Sequence, residues 1–539
     1  MGKVWIYDTT LRDGAQGEGV SFSVEDKIKI ARKLDWLGVH YIEGGWPGSN
    51  PKDTEFFTRA RGLRLQNARL AAFGSTCKPR ADAAHDPGLN VLLSMETPVV
   101  TLVGKSSDFQ VSRVLETSLE ENLRMISKSI AYLKSHGVEV MFDAEHFFDG
   151  FVSNRAYTLR TLEVAREAGA DWLVLCDTNG GTLTSHVAEI VKAVAAAIDA
   201  PLGIHAHNDA ELAVANTLAA VDGGASLVQG TMNGYGERCG NANLCSVIPN
   251  LMLKMGCDCI GEERLALLTE ASHYVSEVAN LVPNPNLPYV GASAFAHKGG
   301  MHVNAVAKAS QAYEHVTPEA VGNVQRVLVS ELGGKSNVLM KAQRFGIDLT
   351  SQEADVSNMV ERIKFLESQG FQFEDAEASF ELLVRRAQPG YIAPFHVRDF
   401  LVLVEKRKGD DLLSEATVKI EVGTEIIHTA AEGNGPVNAL DAAMRKALLQ
   451  FYPTLGNVRL VDYKVRVMDD TEGTGSSVRV SIESTDGEHT WNTVGSSTNI
   501  IEASWWALSD SLEYPLVIWL RNGSQPGALP EDSALPISP

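Results

Sequence analysis

The chain has 539 residues, of which 44% are hydrophobic, and a formal net charge of −21. A chain of this length should fold as two or three domains, one of which can be a large α/β barrel. The acidic charge argues against non-specific binding of nucleic acid or a membrane surface, because lysine and arginine supply that affinity. No export signal follows Met1, no apolar run approaches a membrane span, and the six cysteines lack zinc-site spacing, so we expect a cytoplasmic protein with reduced thiols.

Short strand-like runs alternate with helical segments in a first domain, which we place at residues 1–280. Eight such runs are the number found in a (β/α)8 barrel. A doubly wound open sheet is the alternative, but no Gly-x-Gly-x-x-Gly follows the first run. The predicted strands are Val4–Tyr7, His40–Glu43, Arg69–Phe73, Val91–Met95, Val138–Phe142, Trp172–Cys176, Leu202–Ala206 and Ser226–Gly230.

Three further segments follow the barrel. We expect a small helical linker subdomain over 281–385, a C-terminal α+β domain over 386–520 and a disordered tail over 521–539. The C-terminal domain shows two rounds of strands followed by a helix, which suggests an internal duplication. Its predicted elements are Thr417–Val422, Thr424–Ala430 and helix Pro436–Leu449, then Arg459–Met468, Ser477–Ser484, Thr490–Val494 and helix Asn499–Leu512.

A pair of histidines marks the end of the seventh predicted strand. His205 and His207 are two residues apart, so in a strand both imidazoles point to the same side and can bind one cation. The first, seventh and eighth strands adjoin when a barrel closes, so Asp13 after the first and Asn241 after the eighth can join them. Glu43, after the second strand, offers a further carboxylate. Histidines that are hydrogen-bonded residues of the barrel wall are the alternative.

Four ordered segments resemble the signature blocks of the DRE-TIM metallolyase superfamily. Within it, the chain to about residue 520 is similar to the family of 2-isopropylmalate, homocitrate and citramalate synthases. The resemblance implies a (β/α)8 barrel that catalyses Claisen condensation of acetyl-CoA with a 2-oxo acid, in a homodimer whose C-terminal domain is regulatory. The segments are Asp8–Gly14, Cys176–Gly181, His205–Asp209 and Gly236–Ala242.

The resemblance also implies a metal site. Carried over by matching position, Asp13, His205, His207 and Asn241 would be the protein ligands of a divalent cation, and the 2-oxo acid would complete its shell. Chelation would fix the substrate and make its carbonyl carbon more electrophilic. A mixed nitrogen and oxygen set with open positions suits Mn²⁺, Mg²⁺, Co²⁺ or Zn²⁺.

Other charged and polar residues near the strand ends have both a catalytic and a structural interpretation. By the resemblance, Arg12 would donate to the alkoxide that develops during bond formation, with Asp8 as a buried support; a structural pair of Arg12 with Asp8 or Glu43 is the alternative. Thr178 would contact the substrate carboxylate or, alternatively, cap the following helix. The pair Glu237–Arg238 would either act in catalysis or brace its glycine-rich loop as an ion pair.

A base must also remove a proton from the acetyl methyl group. The segment Ala296–Val303 resembles the family's base-bearing segment, and His302 is the matching position. Glu145, after the fifth strand, would orient that base or share the proton, and Tyr313 matches a tyrosine of the same step. In relatives the linker subdomain of one chain covers the barrel mouth of another, so we expect His302 and Tyr313 to act in trans.

Three segments resemble the citramalate synthases of the family more than the 2-isopropylmalate synthases. We therefore expect pyruvate rather than 2-oxoisovalerate as the partner of acetyl-CoA, with a product that leads to isoleucine. A large aromatic side chain can fill the space that an isopropyl group needs. The segments are Glu43–Asp53, Val100–Lys105 and Ala144–Gly150, and the candidate aromatic residues are Trp46, Phe147 and Phe148.

The segment Gly433–Asp441 resembles part of the regulatory domain of these synthases. A helix N-terminus after a glycine turn offers free N–H groups to an anion, so the carboxylate of an end-product amino acid such as isoleucine can bind there. A domain that serves dimerisation alone is the alternative. Lyases of the superfamily, which cleave such carbon–carbon bonds, and a non-enzymatic amino-acid sensor are the more distant alternatives for the whole chain.

Overall fold

The computed structural model describes residues 2–330, 333–349, 353–406, 412–468 and 473–521. These residues form two compact units. The first comprises 2–296 and 314–325, and the second comprises the described residues of 297–313 and 326–521. Within the described ranges, no helix is long and apolar enough to cross a lipid bilayer.

The first unit is a closed barrel of eight parallel strands, in which each strand pairs with the next along the chain and the eighth closes on the first. This arrangement confirms the (β/α)8 barrel and excludes the open sheet. Nearly every strand residue is buried, as in parallel sheets that are covered on both faces. The strands are β1 (Trp5–Asp8), β2 (Tyr41–Gly45), β3 (Arg69–Ser75), β4 (Val99–Lys105), β5 (Glu139–Glu145), β6 (Trp172–Asp177), β7 (Leu202–Ala206) and β8 (Leu227–Gly230).

Helices of the first unit follow the barrel strands, and six of the twelve begin at a residue whose side chain caps the helix. The Ser23 hydroxyl accepts from the Asp26 N–H over 3.2 Å, and the Asp26 carboxylate accepts from the Ser23 N–H, which is a capping box. The helices are α1 (Val24–Leu37), α2 (Pro51–Ala60), α3 (Pro87–Ser94), α4 (Asp108–Arg113), α5 (Leu119–Ser135), α6 (Phe147–Ser153), α7 (Arg155–Glu167), α8 (Thr184–Ala197), α9 (Ala213–Asp222), α10 (Leu244–Pro249), α11 (Glu262–Leu265) and α12 (Leu268–Val278).

The fourth predicted strand, Val91–Met95, is wrong. This run lies at the end of α3, and the fourth strand is β4, which begins eight residues later than predicted, at Val99. Asp86 caps α3 by accepting from the Leu89 N–H over 3.1 Å, and Pro87 occupies the first helical position, where its missing N–H costs nothing. A short apolar run is compatible with either a strand or a buried helix, so the capping signal decides.

The second unit contains four helices and a two-residue strand pair ahead of two antiparallel sheets, counted over the described residues. Each sheet has three strands in sequential order and is followed by a helix, which confirms the predicted repeat of strands followed by a helix. The first strand of the first sheet was not predicted. The elements are β9 (Ala296–His297), α13 (Gly300–Lys308), β10 (Arg326–Val327), α14 (Lys335–Arg344), α15 (Glu353–Ser368), α16 (Glu377–Arg386), β11 (His396–Lys406), β12 (Leu412–Val422), β13 (Glu425–Gly433), α17 (Pro436–Leu448), β14 (Arg459–Val467), β15 (Val478–Thr485), β16 (Thr490–Ser497) and α18 (Ile500–Arg521).

The two sheets pack their inner faces against α17 and α18. On β12, Ala416, Val418 and Ile420 alternate into this core, and Val480 and Ile482 do the same on β15. Alternation of this kind leaves the opposite face of each sheet toward solvent. The predicted tail, apart from the last residue of α18, lies outside the described residues.

Candidate active site

The carboxyl ends of the barrel strands surround a cavity of about 460 Å³. Enzymes with this fold build their active sites at this end, from the loops that follow the strands. Most of the predicted site residues of the first unit line this cavity: Arg12, Asp13, Glu145, Thr178, His205 and His207.

Arg12 is held between two carboxylates. Its Nη1 and Nη2 donate to the two oxygens of Asp13 over 2.7 and 2.8 Å, and its Nε donates to Glu43. Burial opposes ionisation of Asp13, but Arg12 and the neighbouring histidines outweigh it and lower the pKa of that carboxyl. Burial raises the pKa of Glu43, which also accepts from the Tyr7 hydroxyl over 2.6 Å. The Arg12–Glu43 pair named as a structural alternative is therefore present, and it fixes the guanidinium in the cavity wall.

Asp8 supports the turn that carries the Arg12–Asp13 pair. Its Oδ1 accepts from the Thr10 N–H over 2.8 Å, and its Oδ2 accepts from the Thr10 hydroxyl over 2.9 Å. The Met232 N–H donates to the Thr10 hydroxyl oxygen over 2.9 Å, which ties this turn to the loop after β8. Burial raises the pKa of Asp8 to about 7. Asp8 thus holds the backbone of the turn and lies away from the cavity wall.

An aromatic pair forms the wall beside Arg12. The guanidinium carbon lies 3.8 Å from the centre of the Phe73 ring, and Trp46 packs edge-on against Phe73 with 5.3 Å between ring centres. A cation over a ring face is attracted by the ring quadrupole. Of the three aromatic residues proposed to fill the pocket, Trp46 lines the cavity, whereas Phe147 and Phe148 are buried in the hydrophobic core.

Four side chains meet where the ends of β1, β7 and β8 adjoin. His205 Nε2 lies 3.4 Å from Asp13 Oδ2 and 3.4 Å from His207 Nε2. Asn241 Nδ2 lies 3.3 Å from His205 Nε2 and 3.4 Å from Asp13 Oδ2. All four residues are buried. The structure thus brings together the four residues that barrel closure was expected to join, and their role as ligands stays a prediction.

The chemistry of this donor set fits a divalent cation. Two imidazoles, a carboxylate and an amide provide mixed nitrogen and oxygen donors. Burial lowers the pKa of His207 to about 4, and His207 Nδ1 and Asn241 Oδ1 are buried without a hydrogen-bond partner among the described residues. The described residues hold no group of three or more His, Cys, Asp or Glu side chains already in metal-binding geometry, and both Asp13 oxygens accept from Arg12. Binding an ion therefore requires Asp13 to share its oxygens with Arg12.

Glu145 and Thr178 lie on neighbouring parts of the wall. Glu145 Oε2 pairs with Lys105 Nζ at the end of β4 over 2.5 Å. The Thr178 hydroxyl accepts from the His146 N–H over 2.9 Å. The alternative role of Thr178 as a helix cap is wrong, because α8 begins only at Thr184.

Arg238 joins three loops at the cavity mouth. Its Nε and Nη2 donate to Asp209 over 2.7 and 2.9 Å, and Nη2 also donates to the Thr178 carbonyl over 2.7 Å. The ion pair of Arg238 with Glu237, one of the two alternatives for these residues, is therefore replaced by a pair of Arg238 with Asp209. Asp209 comes from the loop after β7, so Arg238 fixes that loop against its own loop and the one after β6.

His302 and Tyr313 belong to the second unit. Their rings stack with 4.1 Å between centres and an angle of 25°, and both side chains are exposed. The wall of the barrel cavity consists of residues of the first unit alone. The participation of His302 and Tyr313 in the reaction stays a prediction.

Three family models match the chain in succession. The HMGL-like model matches residues 3–266, the homocitrate synthase post-HMGL domain-like model matches 289–370, and the LeuA allosteric (dimerisation) domain model matches 374–516. The (R)-citramalate synthase of Aquifex aeolicus is 54% identical over 518 residues, which cover 96% of this chain and 98% of the relative. The chain belongs to the citramalate synthase family.

Further relatives agree with this placement. The (R)-citramalate synthase of Geobacter sulfurreducens is 55% identical over 517 residues, which cover 96% of this chain and 98% of the relative. A probable 2-isopropylmalate synthase of Methanopyrus kandleri is 34% identical over 503 residues, which cover 93% of this chain and 96% of the relative. The sequence is thus much closer to these citramalate synthases than to that probable 2-isopropylmalate synthase.

Sequence reasoning missed four residues of the site in this member of the citramalate synthase family. Phe73 lies near the end of β3 and Lys105 is the last residue of β4. Apart from these positions, nothing in the sequence indicates that either residue belongs to the site. Gln229 is a polar residue inside the buried strand β8, and Asp143 is a carboxylate inside β5; a buried polar residue in an apolar run is a signal that was available. Gln229 bridges Asp143 and His205, and burial raises the pKa of Asp143 well above its usual value.

Proposed function

We propose that this chain condenses acetyl-CoA with pyruvate and hydrolyses the resulting thioester, which releases (R)-citramalate and CoA. The observation that carries the proposal is full-length similarity to five proteins named (R)-citramalate synthase, which are 48–55% identical to the chain. The probable 2-isopropylmalate synthase described above is 34% identical. Pyruvate is therefore favoured over 2-oxoisovalerate as the second substrate.

Four residues would hold a divalent metal ion of the group Mn²⁺, Mg²⁺, Co²⁺ and Zn²⁺: Asp13, His205, His207 and Asn241. Such an ion supplies electrophilic activation of the substrate carbonyl when it is bound. Thr178, in the same wall, positions the substrate carboxylate. The support for this assignment is the convergence of buried nitrogen and oxygen donors at the ends of β1, β7 and β8.

Arg12 stabilises the negative charge that develops on the substrate carbonyl oxygen as the carbon–carbon bond forms. Its side chain is 13% exposed, and it is fixed by Phe73 against its face and by Glu43 at Nε. A preorganised cation in a site shielded from water contributes most where charge appears during the reaction. The guanidinium needs no rearrangement at that moment, because its neighbours already hold it.

The acetyl methyl proton goes to a base that two chains build together. Glu145 presents its carboxylate in the cavity wall beside Lys105 and orients this base or shares its proton. The partner subunit's His302 is the base, and the partner subunit's Tyr313, stacked on it, acts in the same step. Close placement is essential, because the methyl proton is only weakly acidic.

Regulation and assembly belong to the same proposal. The chain forms a homodimer through the C-terminal domain, and the match of 374–516 to an allosteric (dimerisation) domain supports this. Isoleucine, as end product, binds with its carboxylate at the start of α17, whose first turn carries no side-chain cap. We also propose that residues 281–385 form the linker subdomain and that residues 386–520 form the C-terminal domain. The protein is proposed to be cytoplasmic.

One experiment tests the substrate assignment. The purified protein is given acetyl-CoA with pyruvate, 2-oxobutanoate, 2-oxoisovalerate or 2-oxoglutarate, and release of the free CoA thiol is followed. Pyruvate should give the highest kcat/KM, and 2-oxobutanoate should retain activity, since one methylene in an apolar pocket changes kcat/KM only about 10–200-fold. A higher kcat/KM with 2-oxoisovalerate would identify a 2-isopropylmalate synthase instead.

A further inference from the structure

We infer that Gln229 and Asp143 act as a positioning pair that holds His205 in the tautomer with a free Nε2. The inference rests on the proposed function, because it concerns a residue of the same barrel site. Gln229 lies in β8 and is fully buried, and Asp143 lies in β5 and is 3% exposed. Neither residue belongs to the four ligand positions or to the groups proposed to contact substrate.

Gln229 bridges two side chains across the barrel interior. Its Nε2 donates to Asp143 Oδ1 over 3.0 Å, and its Oε1 lies 2.8 Å from His205 Nδ1. A side-chain amide has donors only on nitrogen and acceptors only on oxygen. Asp143 Oδ1 can accept when the carboxyl is ionised and also when its proton is on Oδ2, so the nitrogen end of the amide faces Asp143 and the oxygen end faces His205. Asp143 therefore determines which end of Gln229 meets the imidazole.

The orientation of the amide determines the tautomer of the imidazole. The Gln229 oxygen can only accept, so His205 Nδ1 carries the proton, and the Nε2 of a neutral ring is then unprotonated. This Nε2 lies 3.4 Å from Asp13 Oδ2 and 3.4 Å from His207 Nε2. A ring nitrogen binds a metal ion through a free lone pair, and its other nitrogen is usually held by such an outer partner.

The second histidine shows what the pair contributes. His207 Nδ1 is buried and has no hydrogen-bond partner among the described residues, whereas His205 Nδ1 has Gln229. The Nε2 atoms of the two imidazoles lie close together, but only His205 has its ring orientation and tautomer determined by a partner at Nδ1. We therefore expect His205 to keep its ring orientation and tautomer when a metal ion binds, and His207 to change its own.

The test uses three substitutions of the positioning pair in the full-length protein. Q229M keeps the size of the side chain and removes the acceptor for His205, while Q229E keeps an oxygen acceptor and serves as the rescue variant. D143N keeps the size but allows Gln229 to face either way. The matched control is N323L, which removes another buried amide of the first unit, one that donates to the Tyr289 and Gly291 carbonyls.

Two measurements are made on each metal-free protein. Nitrogen-15 NMR of labelled histidine reports the tautomer of His205, whose signal is assigned by its loss in a His205→Gln variant. Calorimetric titration with Mn²⁺ alone reports the dissociation constant. Loss of an outer-shell partner typically weakens metal binding about 10–100-fold. We expect that loss and a mixture of tautomers in Q229M and D143N, the wild-type tautomer in Q229E, and the wild-type tautomer and dissociation constant in N323L.

The results separate this inference from the proposed function. Q229M with the wild-type tautomer and the wild-type Mn²⁺ dissociation constant would overturn the inference. An Nε2–H tautomer of His205 in the wild-type protein would also overturn it. If the wild-type protein binds no Mn²⁺, the metal site of the proposed function fails, and the NMR comparison still decides whether Gln229 sets the tautomer.

Discussion

The barrel mouth buries charged side chains, whereas the first C-terminal sheet, formed by β11, β12 and β13, exposes apolar ones. At the mouth, carboxylates are almost fully buried: Glu43 is 0%, Asp143 3% and Asp13 4% exposed. On the outer face of the first C-terminal sheet, apolar side chains are open to solvent, with Leu401 at 67% and Leu403 at 52% exposure. Buried charges are costly unless they are paired, and exposed apolar patches mark interaction surfaces. The comparison favours chemistry at the barrel mouth and an interaction surface on the outer face of the first sheet.

The largest effect should come from Arg12, the cation on which the buried carboxylates converge. Arg12→Lys keeps the charge but loses the planar fork that pairs with Asp13 and Glu43. Removal of one preorganised donor to a developing oxyanion costs about 10²–10³-fold in kcat. Steady-state release of CoA thiol measures this loss. A variant with the wild-type kcat would show that Arg12 is structural only.

A mixing experiment tests whether the two units work together across chains. Arg12→Ala and His302→Ala variants should each be inactive alone. Mixed dimers carry one site with both residues intact, so random reassembly should restore about a quarter of the wild-type activity in an isologous dimer. The composition of the dimers is verified by differently tagged chains. No recovery in verified mixed dimers would contradict action in trans.

The next largest effect should be a weaker dimer, caused by charges placed on the apolar outer face of the first sheet. A double variant, Leu401→Lys with Leu403→Lys, places two charges on a face that a second chain should cover. Replacement of a hot-spot residue at an interface costs about 2 kcal/mol or more, so the dimer dissociation constant should rise by at least about 30-fold if these leucines are at the centre of the interface. Light scattering across a dilution series measures it. Val282→Lys, at an exposed position of the first unit, is the control, and an unchanged dimer in the double variant would place the interface elsewhere.

The smallest effect concerns pH and a histidine of the barrel wall. Burial lowers the pKa of His40 to about 4, and its Nδ1 accepts from the Ile6 N–H over 2.9 Å. The unfolded chain takes up a proton near pH 6.5, the folded chain only near pH 4, so the free energy of unfolding should fall as pH falls between these values. The His40→Asn variant keeps a hydrogen-bond acceptor for the Ile6 N–H. Between about pH 6.5 and pH 4, its Tm should therefore fall by a few degrees less than the Tm of the wild-type protein. Parallel Tm curves would contradict this.

Local patterns account for what could be predicted from the sequence. Strand β7 has the predicted bounds, because a short apolar run there ends at a polar motif, and the convergence of Asp13 with His205 follows from barrel closure alone. The prediction of the fourth strand was wrong because Val91–Met95 has no periodicity that distinguishes a strand from a buried helix. The link between Gln229 and Asp143 spans 86 residues, so no local pattern reports it.

By the proposed function, a metal ion and pyruvate meet at the barrel mouth. Relaxation of pyruvate labelled with carbon-13 at C1 and C2, measured with the Mn²⁺-loaded protein, tests this directly, since a paramagnetic ion accelerates relaxation of nearby nuclei. Both carbons should relax faster with the wild-type protein than with a His207→Ala variant at the same Mn²⁺ concentration. Equal relaxation with the two proteins would contradict the claim.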